Sequence, residues 1–176
     1  MDLYLVRHAI ACNRDPDAWP DDSKRPLSRR GVSRFREVAR EISRLVQPPG
    51  RVLSSPFTRA WSTAEILRDV AGWPEPESFP ALEPEVPPQK TVRALADLAQ
   101  EETVALVGHR PNLHELAAYL LTGEAEGLEI KIKKGGALYV RFADGPEPGA
   151  GELRWHLTPK IMLHRETFDH SSDPSA

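Results

Sequence analysis

A three-layer α/β/α sandwich around a central, mostly parallel sheet is the fold this sequence predicts. Three observations lead there. Short apolar runs at residues 2–6, 51–54 and 103–107 alternate with longer segments whose apolar residues recur at helical spacing, the pattern of strands joined by crossover helices. The 17 prolines gather at 48–49, 74–88 and 146–148 and mark rigid connections between those segments. The length of 176 residues suits one domain with a real core. No internal repeat or second domain is visible, so residues 1–164 are expected to form one domain and the polar residues 165–176 a flexible tail.

Each element follows from its local pattern. Residues 2–6 read as a buried strand. Residues 12–27 are polar, contain Pro16, Pro20 and Pro26, and read as a loop. Ser28 is placed to cap a helix in which Val32, Phe35, Val38, Ala39, Ile42, Leu45 and Val46 share a face, and Pro48-Pro49 ends it. Arg51-Val52-Leu53-Ser54 is a second strand. A helix over 57–71 carries Ala60, Ala64, Leu67 and Val70 on one face and stops at Gly72. The stretch 73–88 holds six prolines and is expected to be extended and irregular. Val92, Leu95, Ala96 and Ala99 give 89–100 a helical face. Residues 103–107 are a buried strand, and 111–122 a helix with Pro111 in its first turn and Gly123 past its end. Two late strands, 136–142 and 152–158, flank a turn-rich connection at 145–151.

Composition narrows the function classes. A net charge of −3 gives no reason to expect nucleic acid as a partner. No apolar stretch approaches the roughly 18 residues of a membrane span, so no membrane association is expected. The chain enters a strand pattern with no basic region ahead of it, and no signal peptide is expected. The one cysteine, Cys12, cannot form an intramolecular disulfide, which makes a cytoplasmic location the default expectation.

The polar residues that follow the apolar runs point to chemistry. Arg7-His8 follow Leu3-Tyr4-Leu5-Val6, and His109 follows Val104-Ala105-Leu106-Val107-Gly108. In open parallel sheets ligands bind beyond the carboxyl ends of the strands, where all three residues fall. A neutral imidazole can attack phosphorus and hold the phosphoryl group, splitting one hard displacement into two. For His8 to do so, its other ring nitrogen must donate to a backbone carbonyl; taken alone, a histidine after a strand more often serves structure. Arg7 beside it needs an anion partner. Arg59 sits where the second strand turns into a helix, and helix N-termini attract phosphate; taken alone, it also reads as a solvated surface arginine. Thr63, one turn later, either contacts a ligand or caps locally. Gly108 permits close backbone approach. A protonated His109 would stabilise charge on transferring oxygens, although a histidine capping the next helix is the plainer alternative. Arg110 is a further candidate substrate contact. Two histidines without a CxxC or HExxH spacing make a poor zinc site, so neither metal nor cofactor is expected.

Taken together these segments resemble the histidine phosphatase superfamily, also called the phosphoglycerate mutase-like or RHG superfamily. Its first signature, a strand followed by Arg-His-Gly, reads here Leu5-Val6-Arg7-His8-Ala9, with alanine in the glycine place. Its second, Ser-Pro-x-x-Arg-Ala-x-x-Thr-Ala, is matched throughout by residues 55–64. Its third, a late Gly-His, is Gly108-His109, and Arg25-Pro26-Leu27-Ser28-x-x-Gly31 is similar to the stretch that opens the family's first helix. Size, that entry, the Gly108-His109-Arg110-Pro111 turn and Lys133-Lys134-Gly135-Gly136 make the chain most similar to the short phosphohistidine phosphatases of the SixA type. The resemblance spans roughly residues 1–142. It implies that His8 is phosphorylated and that Arg7, Arg59 and His109 cradle the phosphate.

Two features depart from many relatives. A carboxyl that protonates the leaving group is common in the family; the candidates here, Glu83 and Glu85, sit in no alignable motif and equally suit a solvated loop. A nitrogen leaving group that arrives protonated needs such an acid less than an alkoxide does. The rims, 12–27 and 73–88, are also short, which leaves an open site that would admit a phosphorylated side chain on a protein. Lys131, Lys133 and Lys134 offer a basic edge for an acidic partner, or simply a solvated strand end. Asn13 is a further candidate phosphate contact from the first loop, and Cys12 near the site either affects redox sensitivity or, the plainer reading, is incidental.

The sequence therefore predicts a metal-independent phosphatase that works through a phosphohistidine intermediate, acts on phosphohistidine in a protein and releases inorganic phosphate. The alternatives are a phosphomonoesterase of a small phosphorylated substrate, a mutase, and a phosphate-binding interaction module with no activity. A mutase must keep water from its phosphoenzyme, and the short rims supply no closed lid.

Overall fold

The computed structural model describes residues 1–98 and 100–164; the expected tail, 165–176, and Ala99 lie outside the described residues. The elements run β1 (Asp2–Arg7), α1 (Arg29–Leu45), β2 (Arg51–Ser54), α2 (Thr58–Ala71), β3 (Pro76–Ser78), α3 (Pro88–Leu95), β4 (Thr103–Gly108), α4 (Asn112–Thr122), β5 (Ala137–Arg141), β6 (Glu152–Leu157) and α5 (Pro159–Met162). The six strands form one sheet in the order β3-β2-β4-β1-β5-β6. The first four are mutually parallel, and β5 and β6 each run antiparallel to the preceding neighbour. The predicted α/β/α sandwich on a mostly parallel sheet is the observed fold.

Alternation along the strands explains the layers. Side chains one residue apart point to opposite faces of a sheet, so a strand covered on both sides must be apolar throughout. In β1, Tyr4 and Val6 pack with Phe35, Val38 and Ile42 of α1 and Ala60, Ala64 and Leu67 of α2. Leu3 and Leu5 pack on the other side with Leu95 of α3 and Leu113, Leu116 and Leu120 of α4. Leu3, Leu5 and Val6 are fully buried. Helix α1 starts where Ser28 accepts a bond from the Gly31 N–H, and α2 and α4 stop at Gly72 and Gly123 in left-handed conformations, as the local signals predict.

Three elements differ from the sequence reading. The proline-rich stretch contributes a short strand, β3, paired with Val52–Ser54 at the sheet edge, a position where proline costs no ladder bond. Helix α3 ends at Leu95 and tightens into a 3-10 turn at Ala96–Leu98. The unforeseen α5 is capped by Thr158, whose hydroxyl accepts from the Ile161 N–H. No helix among the described residues is long and apolar enough to cross a membrane.

Candidate active site

Strand register brings the histidines together. Arg7 pairs with Gly108 across β1 and β4, and Ser54 with Val107 across β2 and β4. Three neighbouring strands therefore end at one level and hand the chain on to His8, His109 and Ser55. The His8 N–H still donates to the Gly108 carbonyl at 2.9 Å, and the Ser55 N–H to the Val107 carbonyl at 2.9 Å, so these residues keep the rigidity of the sheet. Two glycines hold the exit from β1. The Gly135 N–H reaches the carbonyls of Arg7 (3.0 Å) and His8 (3.1 Å) from a left-handed backbone with φ of 74°, a conformation glycine adopts freely. At Gly31 the Ile10 carbonyl oxygen occupies the space a Cβ would need, 1.9 Å from its ideal position. Any side chain there would push α1 off the loop that follows His8.

His8 is buried, and its Nδ1 lies 2.7 Å from the Ala9 carbonyl oxygen. A carbonyl only accepts, so Nδ1 carries the proton and Nε2 holds the lone pair. Nε2 has no partner among the described residues. Burial, reinforced by the Arg59 and Arg7 guanidinium groups, pushes the imidazole down to about 3 despite the Ala9 bond, so it is neutral near neutral pH. The His109 ring lies 5.1 Å away, centroid to centroid, at 51°. Its Nε2 shares a hydrogen bond of 2.9 Å with the Ser55 hydroxyl, while Nδ1 is buried with no partner among the described residues. Burial and the neighbouring His8, Arg59 and Arg7 push it down to about 2. These surroundings favour the neutral imidazole of His109 over the protonated form expected from the sequence.

The guanidinium groups are held by backbone and carboxylate. Arg7 Nη1 donates to the Ile132 carbonyl at 2.9 Å, an oxygen His114 Nε2 also reaches at 3.2 Å. Arg59 is buried under Phe57, its guanidinium carbon 5.0 Å from the ring centroid, and Phe57 meets His109 edge-on. Its Nη1 donates to the Asp22 carbonyl at 2.7 Å and its Nη2 lies 3.0 Å from the Asp22 carboxylate. Asp22 also pairs with Arg25 at 2.8 Å and Arg14 at 3.6 Å. The Arg25 bond, with the nearby arginine charges, holds the Asp22 carboxyl below its ordinary value.

These side chains open onto one cleft of about 550 Å³. Arg7, His8, Arg59, His109, Arg110, Glu83 and Glu85 all line it, as do Lys134, Arg14, Arg25, Asp22 and Phe57. Six cations against three carboxylates make it a site for an anion. Asn13 is exposed and not part of the lining. Thr63 is fully buried away from it: its hydroxyl donates to the Arg59 carbonyl at 2.7 Å and accepts the Ala9 N–H at 3.0 Å. That corrects its reading as a ligand contact, because both hydrogen-bonding directions are already used to tie α2 to the loop after His8. Cys12 Sγ faces the Leu27 carbonyl, outside the cleft. Lys131 pairs with Glu129, and Lys133 lies outside the cleft. Sequence reasoning missed Asp22 and Ser55 as parts of the site. Asp22 lies 37 residues from Arg59 in a loop without periodicity, so nothing local signals the pair. Ser55 was visible only as a motif position.

Comparison with known proteins bears on this site. Residues 3–83 match the model of the histidine phosphatase superfamily (branch 1). Over 165 residues the chain is 32% identical to an uncharacterized protein of Picosynechococcus sp., covering 93% of this chain and 94% of that one. The chain belongs to the histidine phosphatase superfamily. Phosphatase activity goes with that membership. Among its members the chain is similar to the phosphohistidine phosphatase SixA of Escherichia coli, 28% identical over 165 residues, or 90% of this chain and 94% of SixA. The structure of the protein histidine phosphatase SixA complexed with tungstate superposes with a TM-score of 0.76 at 28% identity, over 90% of this chain and 97% of that one.

Proposed function

We propose that this histidine phosphatase hydrolyses phosphohistidine on a protein, with His8 as the nucleophile. The observation that carries the mechanism is the 2.7 Å bond from His8 Nδ1 to the Ala9 carbonyl. It fixes the tautomer in which Nε2 is a free lone pair, on a strand end beside two guanidinium groups. In the reaction Nε2 forms a bond to phosphorus as the bond from phosphorus to the substrate nitrogen breaks, in line. Arg7 and Arg59 hold the oxygens of the transferring group. His109 adds a neutral donor: with the Ser55 hydroxyl donating to Nε2, the proton sits on Nδ1 and faces the oxyanion. Water then attacks the phosphorylated His8 and releases inorganic phosphate, and no step needs a metal or cofactor.

Protein phosphohistidine is favoured by the similarity to SixA, a phosphohistidine phosphatase of Escherichia coli, and by an open cleft with short rims. A small phosphate monoester is the second reading, favoured by Glu83 and Glu85 in the lining, where a carboxyl acid would protonate an alkoxide. The deciding experiment compares kcat/KM on a histidine-phosphorylated protein with that on a panel of small phosphate monoesters. Preference for the phosphoprotein supports the first reading. Preference for one monoester, with no turnover of the phosphoprotein, replaces it with the second.

A further inference from the structure

A second groove of about 560 Å³ adjoins the cleft and shares Arg7 and Lys134 with it. Beyond those two it is lined by Arg34 of α1, Lys133 of the β5 approach, Lys160 of α5 and the apolar Ile10 and Pro159. No carboxylate lines it. The side chains of Arg34, Lys133, Lys134 and Lys160 have no ion pair or hydrogen bond with the described residues, in contrast to those of Lys131, Arg51 and Arg68, which pair with carboxylates at the surface. The chain as a whole is acidic, at −3, so five unneutralised cations in one groove are a local reversal of its charge. The groove is also as large as the cleft itself, more than one further phosphate would fill. Ile10 and Pro159 form an apolar floor, and long cationic side chains lay aliphatic stems along such a floor while keeping their charges at the rim. That combination complements an acidic protein surface, whose charges would meet the rim while its apolar atoms cover the floor.

We propose that this groove docks an acidic face of the histidine-phosphorylated protein, beside the cleft that receives its phosphoryl group. The inference rests on the protein-substrate reading above. Arg34, Lys133 and Lys160 lie outside the cleft, so charge can be reversed there without touching the reacting groups.

The test uses the full chain and its R34E/K133E/K160E variant, with R34Q/K133Q/K160Q as a milder second variant. Turnover is measured on an acidic histidine-phosphorylated protein and on inorganic phosphoramidate, and binding of the unphosphorylated acidic protein is followed by fluorescence anisotropy. Reversal is expected to lower kcat/KM on the phosphoprotein by at least about tenfold, chiefly through KM and more strongly at low salt. Binding should weaken in parallel, phosphoramidate turnover should stay within about twofold, and the glutamine variant should fall between. Equal loss on both substrates, or unchanged binding of the acidic protein, overturns the docking reading. A gain on both substrates would overturn it as well, by giving the groove to the chain's own Glu166, Asp169 or Asp173. If the native protein binds the acidic protein through the groove yet fails to hydrolyse its phosphohistidine, the function reading fails while docking stands.

Discussion

The imidazoles of His8 and His109 lie 5.1 Å apart because Arg7 and Gly108 are paired in register on adjacent parallel strands. One residue past that pair, each strand releases its histidine on the same side of the sheet edge. Proximity here is a property of the ladder, so it is rigid before any substrate arrives, as catalysis by positioning requires.

The lone pair on His8 Nε2 leads to the first prediction. His8→Ala should abolish turnover and the acid-labile phosphoenzyme while leaving the thermal unfolding transition cooperative. Quench labelling with a phosphorylated substrate, run beside circular dichroism, checks it. Residual turnover near the native rate would remove His8 as the nucleophile.

Arg59 and Asp22 should behave as a unit. Arg59→Ala is expected to cost about 3 kcal/mol of transition-state stabilisation, near a hundredfold in kcat/KM. Asp22→Asn, which keeps the backbone carbonyl but loses the charge, should cost about tenfold. Because Asp22 acts through Arg59, adding Asp22→Asn to Arg59→Ala should cost nothing further. Additive losses would give Asp22 a separate role, such as a direct contact with substrate.

Stability should depend on pH through the buried histidines. The folded values of about 3 for His8 and about 2 for His109 lie well below the ordinary 6.5. As pH falls below about 6.5 the unfolded chain takes up protons that the folded chain refuses. Stability that is full above that pH is then lost toward pH 3, at up to about 1.4 kcal/mol per pH unit for each histidine. Urea unfolding at pH 7 and 5.5 should show the loss, and a His8→Asn/His109→Asn variant should show less of it. An identical slope in the variant would mean that other groups set the acid sensitivity.

Thr63 should act through structure. Thr63→Val leaves the buried Ala9 N–H unpaired, which costs about 1–3 kcal/mol, lowers Tm and disturbs the backbone beside His8. Thr63→Ser restores both bonds and should restore Tm and turnover together. A raised KM with an unchanged Tm in Thr63→Val would instead support direct ligand contact.

Glu83 is half-buried at the cleft edge and its backbone is pinned: its N–H donates to Pro80 and its carbonyl accepts from Val86. Glu85 is more exposed. Glu83→Gln is therefore expected to slow hydrolysis of an alkyl phosphate by at least about tenfold and that of phosphoramidate by less than about twofold. The same pattern in Glu85→Gln but not in Glu83→Gln would move the acid to Glu85.

By itself the sequence determined whatever depends on neighbours along the chain. Continuous apolar runs marked β1 and β4, serine and glycine caps bounded the helices, Arg7-His8 and Gly108-His109 stood out as polar groups where strands end, and Arg59 stood out only as part of the Ser-Pro-x-x-Arg-Ala motif. Those signals are local because dihedral preference and capping act over a few residues. Only the tertiary structure decided the rest. The His8 tautomer depends on where the Ala9 carbonyl points, and the neutrality of His109 on how much protein covers it. Thr63 became a structural tie because its hydroxyl meets Ala9, 54 residues away, and Asp22 joined the site by reaching Arg59 across 37. Lys160 meets Arg34 in one groove only because α5 folds back beside α1. Burial, long-range hydrogen bonds and summed charge are properties of the packed chain, and no window of sequence contains them.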